Sequence, residues 1–430
     1  MKYLLPRVLF LVLQVAFTFI YTEKLLEEEV RILAFYQSSI SMLLWTQLGV
    51  PQYYNKLFLT DNKICQAENF AGNQVIIGIL IFCLTFVAGL YMGFEWFPVL
   101  TISLSVSLMS FANLLNTIFR LNEQYFNWIL TMGVFNAVSI FLIVLEIPFY
   151  FVLTAIFFAN IAVVVPFRST LISLGRKFSM PVFLGGLTQL TLNIGAPTLL
   201  VWFRWRGLEY YEDSFILFQR NFLVLSIIAI PMNLIAGLYQ PVLLKHRSTS
   251  LIDFSINYIH IAFLSIIYSL LAYIITKFCV GLLPREYSMY FPLNILDLVV
   301  FQLPILALGL TVELVYRSKE LISAIIVLPL LLGATALDFE PWILLETIGS
   351  ILMFLVFLFI TYLLVWVIKD RIYAFLLAFI FVFYLSLVYV DIGILQMCVF
   401  GVLLYLLNKV SFFRFCYSLL KGTSFRITQQ

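Results

Sequence analysis

Long apolar runs recur along the whole chain, separated by short polar marks. A bilayer core requires roughly 20 apolar residues per helix. On that measure the pattern predicts fourteen transmembrane helices, near 4–21, 32–50, 74–92, 97–118, 126–145, 148–166, 178–203, 214–241, 256–277, 291–313, 320–336, 342–367, 373–390 and 392–408. Marks as slight as Glu95, Glu146 and Asp391 separate some neighbours, which are therefore expected to form tight hairpins. The first run carries Lys2 and Arg7 at its start, as a leader would. No small-x-small cleavage site ends it and Glu23-Lys24 follows, so it reads as an uncleaved first span. The expected class is an all-α polytopic membrane protein.

Composition sharpens this reading. Of 430 residues, 63% are hydrophobic and only 11% charged, and mean hydropathy is +1.06. A soluble domain carries roughly a quarter charged residues, so none of ordinary composition fits. Five cysteines (Cys65, Cys83, Cys279, Cys398, Cys416) show no metal-ligand spacing, and His246 and His260 cannot form a histidine cluster. There is no Walker A pattern, which speaks against ATP hydrolysis by this chain, and no cofactor motif.

The net charge of +3 is explained by position rather than by a nucleic-acid partner. With the N-terminus inside and the spans alternating, only Lys24, Arg31, Arg204, Arg206, Lys277 and Arg285 fall outside, and Arg220 falls within a span. The other eighteen of the 25 basic residues are then cytoplasmic. This is the bias that orients membrane proteins, and it places both termini in the cytoplasm. The short, basic, aromatic tail after Lys409 is expected at the inner membrane surface.

Proline lies within several expected spans, as Pro181 and Pro197 in the seventh, Pro231 in the eighth, Pro304 in the tenth and Pro329 in the eleventh. Each permits a kink. Span seven also holds Gly185-Gly186 and Gly195, so it either bends during transport or carries the prolines ordinary in membrane helices. A faint internal likeness relates the halves. Phe35-Tyr36-Gln37 opens span two and Leu48-Gly49-Val50-Pro51 closes it. Leu217-Phe218-Gln219 opens span eight and Leu238-Tyr239-Gln240-Pro241 closes it.

The first of these stretches, with Asn55-Lys56 after it, resembles the start of Wzx-type polysaccharide flippases. They belong to the superfamily that includes the multidrug and toxin exporters and the lipid II flippase. The second half offers Tyr211 to Gln219, Pro231 and Tyr239-Gln240-Pro241 as the matching stretch. The chain departs from the pattern at the outer end of span one, where Glu23-Lys24 replaces an arginine-rich segment. The resemblance implies a six-helix lobe over 1–170, a second over 171–368, and two extra helices with a tail over 369–430. It implies a substrate too, an undecaprenyl-pyrophosphate-linked oligosaccharide of the kind built into O-antigen and lipopolysaccharide. That substrate would cross a bacterial inner membrane by alternating access, alongside membrane lipids and other polysaccharide-assembly proteins.

An ionisable group inside a span is a functional candidate by default. Arg220 can clamp a pyrophosphate through paired hydrogen bonds, or it snorkels to the surface beside Asp213. Asp297 in span ten and Glu346 in span twelve can bind a coupling proton or Na⁺, or they lie near the surface. Arg31, Arg204 and Arg206 line the expected outer mouth, where they can meet sugar or phosphate. The amides Gln37, Asn113, Asn116, Gln189, Asn193 and Gln219 can hydrogen-bond sugars or glue helices together at roughly half a kcal/mol each. His260 reads as a packing residue.

Two other functions stand beside the flippase. One is a membrane oligosaccharide polymerase or lipid-linked glycosyltransferase, for which Glu27-Glu28-Glu29 is a weak metal-site candidate and which lacks a large outer loop. The other is a small-molecule exporter on the same scaffold.

Overall fold

The computed structural model describes residues 4–61, 69–122 and 124–193, separate residues within 205–219, 259–268 and 361–378, residue 340, and most of 401–421. Every regular element among them is helical. The chain forms two compact units, Met1–Ile230 with Ser318–Pro341, and Pro231–Arg317 with Trp342–Gln430.

The first unit contains α1 (Leu4–Lys24), α2 (Glu27–Thr46), α3 (Val50–Asp61), α4 (Phe70–Tyr91), α5 (Trp96–Leu121), α6 (Tyr125–Val144) and α7 (Phe149–Val164). A 3-10 turn (Val165–Phe167), α8 (Arg168–Ser173) and α9 (Met180–Asn193) follow. Expected spans one and three to six follow α1, α4, α5, α6 and α7, the last running on into the 3-10 turn, whereas span two covers α2 and reaches the first residue of α3. Beyond residue 193 the expected spans lie outside the described residues but for separate positions and most of 401–408. The slight marks at Glu95 and Glu146 do separate helices, with Gly93 at φ +79° and Glu146 at φ +56° making the turns.

The faces of α4 are those of a helix in lipid. Its buried side carries Asn73, Gln74, Gly78, Thr85 and Gly89, whereas Val75, Ile76, Ile79, Leu84, Val87 and Leu90 are exposed. Polar and small residues turn inward and aliphatic ones outward, the reverse of a water-soluble helix. By length and composition, the stretches Phe70–Tyr91, Trp96–Phe119 and Phe149–Ser173 can cross a membrane. Helix α2 is different, because Val30 and every residue from Ile32 to Ser39 are buried. It touches α1, α4, α5 and α9, and so lies in the middle of the unit.

Two expectations for the second span change. The acidic triplet Glu27-Glu28-Glu29 is the first turn of α2, where the helix dipole favours negative charge. Glu29 reaches back to accept the Leu26 N–H at 3.0 Å, as the third residue of a capping box does. At the other end α2 stops at Thr46, and the stretch expected as an inner loop begins with α3. Leu48-Gly49-Val50-Pro51 forms the junction: Leu48 and Gly49 take φ of +51° and +71°, and Pro51 lies in the first turn of α3. A proline is well placed there, since its missing N–H would have no helical partner.

Span seven also reads differently. Pro181 is the second residue of α9, so it starts the helix rather than kinking it. Gly185 and Gly186 lie within the unbroken α9, and their role is close packing. A Cβ on Gly185 would strike the Tyr53 ring, and one on Gly186 would lie 2.6 Å from the Leu48 carbonyl oxygen. Gly195, Pro197, Pro231, Pro304 and Pro329 lie outside the described residues.

The segment before α9 is clamped to the start of α4. Asn73 donates its amide to the Ser179 carbonyl at 2.9 Å and accepts the Ser179 N–H at 2.8 Å. The Gly72 N–H bonds the Gly175 carbonyl at 3.1 Å. Replacing Asn73 with alanine removes two bonds worth about 1 kcal/mol each. Thermal unfolding of the purified protein should shift down by a few degrees, and an unchanged midpoint would show that the clamp adds nothing.

In the second unit, His260 is fully buried and faces Tyr373 and Phe412, with ring centroids at 5.7 and 6.0 Å. Its Nε2 donates to the Val410 carbonyl at 3.0 Å, and the Tyr373 hydroxyl donates to the same oxygen at 3.4 Å. Through Nε2 the residue is tied to the turn that opens α10 (Phe412–Lys421).

Candidate functional site

The buried polar side chains of the first unit divide by how they meet their hydrogen bonds. Many hydroxyls bond a carbonyl of their own helix one turn back, as Thr22 does to Thr18, Ser103 to Val99 and Ser139 to Phe135. A hydroxyl can settle itself in an apolar surrounding this way. An amide has two donors and an acceptor on a longer stem and must look across to another helix.

Some amides find partners there. The Gln47 amide nitrogen donates to the Ser110 carbonyl, and the Asn113 amide nitrogen donates to Gln47 Oε1, each at 2.6 Å. That pair ties the end of α2 to α5, so Asn113 is glue. Others do not. Both side-chain amide atoms of Asn136 and of Gln74 are buried with no partner among the described residues, as are Gln219 Nε2, Asn160 Oδ1, Asn116 Oδ1 and the Ser38 hydroxyl.

Several of these groups meet around α2. The Tyr21 hydroxyl lies 3.3 Å from Gln37 Oε1 and 3.4 Å from Gln219 Oε1, donating toward both. The Asn160 amide donates to the Tyr36 hydroxyl at 3.0 Å. Aromatic rings join the two groups: Phe17 meets Tyr21 at 5.1 Å and Phe135 at 6.3 Å, and Tyr36 meets Phe135 at 5.8 Å. Asn136 directly follows Phe135 on α6. Helices α1, α2, α6 and α7, with Gln219 from beyond them, thus enclose a hydrogen-bonding core with aromatic walls. Every buried polar side chain described in this unit is neutral.

A second group lies toward the other end of α2. The Arg31 guanidinium sits 5.8 Å over the Phe94 ring. Phe35 lies between Phe94, at 5.4 Å, and Trp205, at 5.7 Å, and Arg206 follows Trp205 in the chain. Arg31, half-buried, therefore lies against this aromatic platform, and Arg206, also half-buried, is the chain neighbour of its Trp205. Arg31 precedes Gln37 by six residues, about 9 Å along the helix axis. The same end carries the Lys24–Glu146 ion pair at 3.8 Å and the Tyr150 hydroxyl donating to Glu95 at 2.7 Å. The turns expected on the outer side thus gather at one end of the unit.

Of the residues singled out from sequence, Gln37 and Gln219 are brought together at Tyr21, and Arg31 lies on the aromatic platform; Arg206 is half-buried beside Trp205 in the chain. Arg204, Arg220, Asp297 and Glu346 lie outside the described residues, as do the side chains of Gln189 and Asn193. Asn136, Asn160, Tyr21 and Tyr36 were missed. The signal was present for the two asparagines, each an isolated amide inside an otherwise apolar span. Among the described residues no group of histidine, cysteine, aspartate and glutamate is placed to hold a metal.

No protein-family model matches the chain, and no curated protein matches it in sequence. Two solved structures are similar to it. One is the inward-facing conformation of a multidrug resistance MATE family transporter of the MOP superfamily, with TM-score 0.54 and 11% identity, over 86% of this chain and 99% of that one. The other is the MATE multidrug transporter DinF-BH, with TM-score 0.51 and 16% identity, over 87% of this chain and 95% of that one. At these identities the likeness is one of fold. The chain has the all-α, polytopic membrane fold of these two structures.

Proposed function

We propose that this chain is a flippase for an undecaprenyl-pyrophosphate-linked oligosaccharide, working by alternating access in a bacterial inner membrane with both termini cytoplasmic. The neutral interior of the first unit carries this reading. Gln37, Gln219, Tyr21, Asn136, Asn160 and Tyr36 offer donors and acceptors without charge, backed by aromatic rings. That set suits sugar hydroxyls, which are neutral, densely polar and bonded to rings with apolar faces. It gives an organic cation no counter-charge, and burying a charge without a partner is costly.

The pyrophosphate calls for guanidinium groups, which pair with its oxygens through two parallel hydrogen bonds. Arg31 supplies one at the start of α2, and Arg204, Arg206 and Arg220 are assigned the same task. Asp297 and Glu346 are assigned the coupling proton or Na⁺.

A second reading, a small-molecule exporter, is favoured by the similar structures, both of which are described as multidrug transporters. The test is reconstitution of the purified chain in liposomes with undecaprenyl-pyrophosphate oligosaccharide carrying a quenchable fluorophore. The wild type should bring the label to the other leaflet, and Gln37→Leu or Gln219→Leu should slow it by about tenfold, the effect of losing one well-placed hydrogen bond to substrate. A wild type that exports dyes and leaves the labelled lipid in place would sink the flippase reading and establish the exporter.

A further inference from the structure

The second unit carries a feature that transport does not use. Residues 401–410 end in a row of side chains on the exposed side: Val402, then Tyr405, then Lys409, three and four residues apart. On the opposite side Leu403 and Leu407 are buried. The exposed row passes from aliphatic to phenol to ammonium within two turns, and the Lys409 ammonium lies 5.5 Å over the Tyr405 ring. That is the order in which hydrocarbon, glycerol and headgroup succeed one another at a bilayer surface. Lys409 therefore marks headgroup depth.

The chain turns one residue later. The Val410 carbonyl accepts hydrogen bonds from His260 Nε2 and the Tyr373 hydroxyl, and Phe412 is buried beside the His260 ring. These contacts hold the start of α10 at the depth that Lys409 marks. Phe413 and Tyr417, one turn apart on α10, are 49% and 61% exposed, and Arg414 between them is exposed as well. In water, an exposed phenylalanine beside an exposed tyrosine gains nothing. At headgroup depth the rings lie among glycerol and upper acyl chains, while the guanidinium meets phosphate.

We propose that Lys409 and Arg414, with Phe413 and Tyr417 inserted beside them, form a binding surface for anionic phospholipid headgroups. Charge complementarity selects the occupant, because the exposed charged side chains described here are both cationic and basic residues near an anionic surface are attracted to it. The thiol of Cys416, half-buried on the same helix, is pushed up to about 11 by that burial, so it stays protonated and adds no negative charge.

The full-length chain with Tyr417→Cys as its single labelled cysteine, carrying an environment-sensitive fluorophore, is reconstituted in phosphatidylcholine with and without phosphatidylglycerol. With phosphatidylglycerol present, spin-labelled lipid should quench the fluorophore and iodide quenching should fall by about threefold, with the difference fading as salt screens it. Lys409→Gln with Arg414→Gln should return quenching to the level seen in pure phosphatidylcholine. Equal iodide access in both lipids, or no effect of the double substitution, would overturn the proposal.

Discussion

Replacing Gly186 with valine should destabilise the first unit by about 3 kcal/mol or more, near the upper end of what overpacking does. A Cβ at this position would lie 2.6 Å from the Leu48 carbonyl oxygen and 3.2 Å from the Val50 backbone nitrogen. Neither atom can swing aside as the tip of a side chain can. Leu48 already stands at φ +51°, a conformation that L residues other than glycine adopt at a cost, and Gly49 beside it stands at +71°. Relief by moving the junction would strain the one stretch of backbone with nothing to spare. Thermal unfolding in detergent should drop by about 6–12 °C on the usual conversion for a unit of this size, with less folded protein recovered. Gly401→Ala is the control: a Cβ there meets nothing within 4 Å, and the midpoint should hold or rise slightly. Equal behaviour of the two variants would remove α9 from its proposed role as the support of the α2–α3 junction.

Asn136→Leu should do the opposite to stability and still cost activity. Both amide atoms of Asn136 are buried on α6 with no partner among the described residues, and an amide in that position costs a few kcal/mol relative to an apolar side chain of similar size. Leucine should raise the unfolding free energy by about 1–3 kcal/mol. Translocation of the labelled lipid-linked oligosaccharide should fall by about tenfold, since the lost donor and acceptor are offered to substrate in the proposed mechanism. This is the trade expected where a site keeps groups that folding alone would discard. A variant that is both more stable and fully active would leave Asn136 without a function, and a less stable one would make it structural.

These two residues also mark where sequence reasoning reached and where it stopped. Among the described residues the spans up to 166 were legible because bilayer thickness fixes length, and slight marks such as Glu95 and Glu146 sufficed to locate the hairpins there. Helix α3 was not, because Pro51, Asn55 and Lys56 look like loop chemistry in isolation. Only the structure reveals that Pro51 begins a helix and that Gly49 permits the break before it. Gly185-Gly186 left bending open for the same reason. A glycine pair reads identically whether it allows motion or receives a neighbouring backbone, and the difference lies in Leu48 and Tyr53, far away in the sequence.

The candidate site was legible in part. Gln37 and Gln219 stood out as amides in spans, yet that they meet at Tyr21 depends on packing across nearly two hundred residues. Ranking by charge drew attention to Arg220, Asp297 and Glu346 and away from Asn136 and Asn160. Amide chemistry is quieter than charge, and it becomes visible only when burial reveals which bonds are made.

The uncharged interior has one more consequence. A membrane potential does work only on charge that moves through the field, about 2.3 kcal/mol per elementary charge per 100 mV. The described core around Tyr21, Gln37 and Asn136 holds no such charge, so its rearrangement is electrically silent. Any voltage dependence of turnover must then enter with the cargo or through ionisable groups elsewhere in the chain. Its size would count the charges carried per cycle.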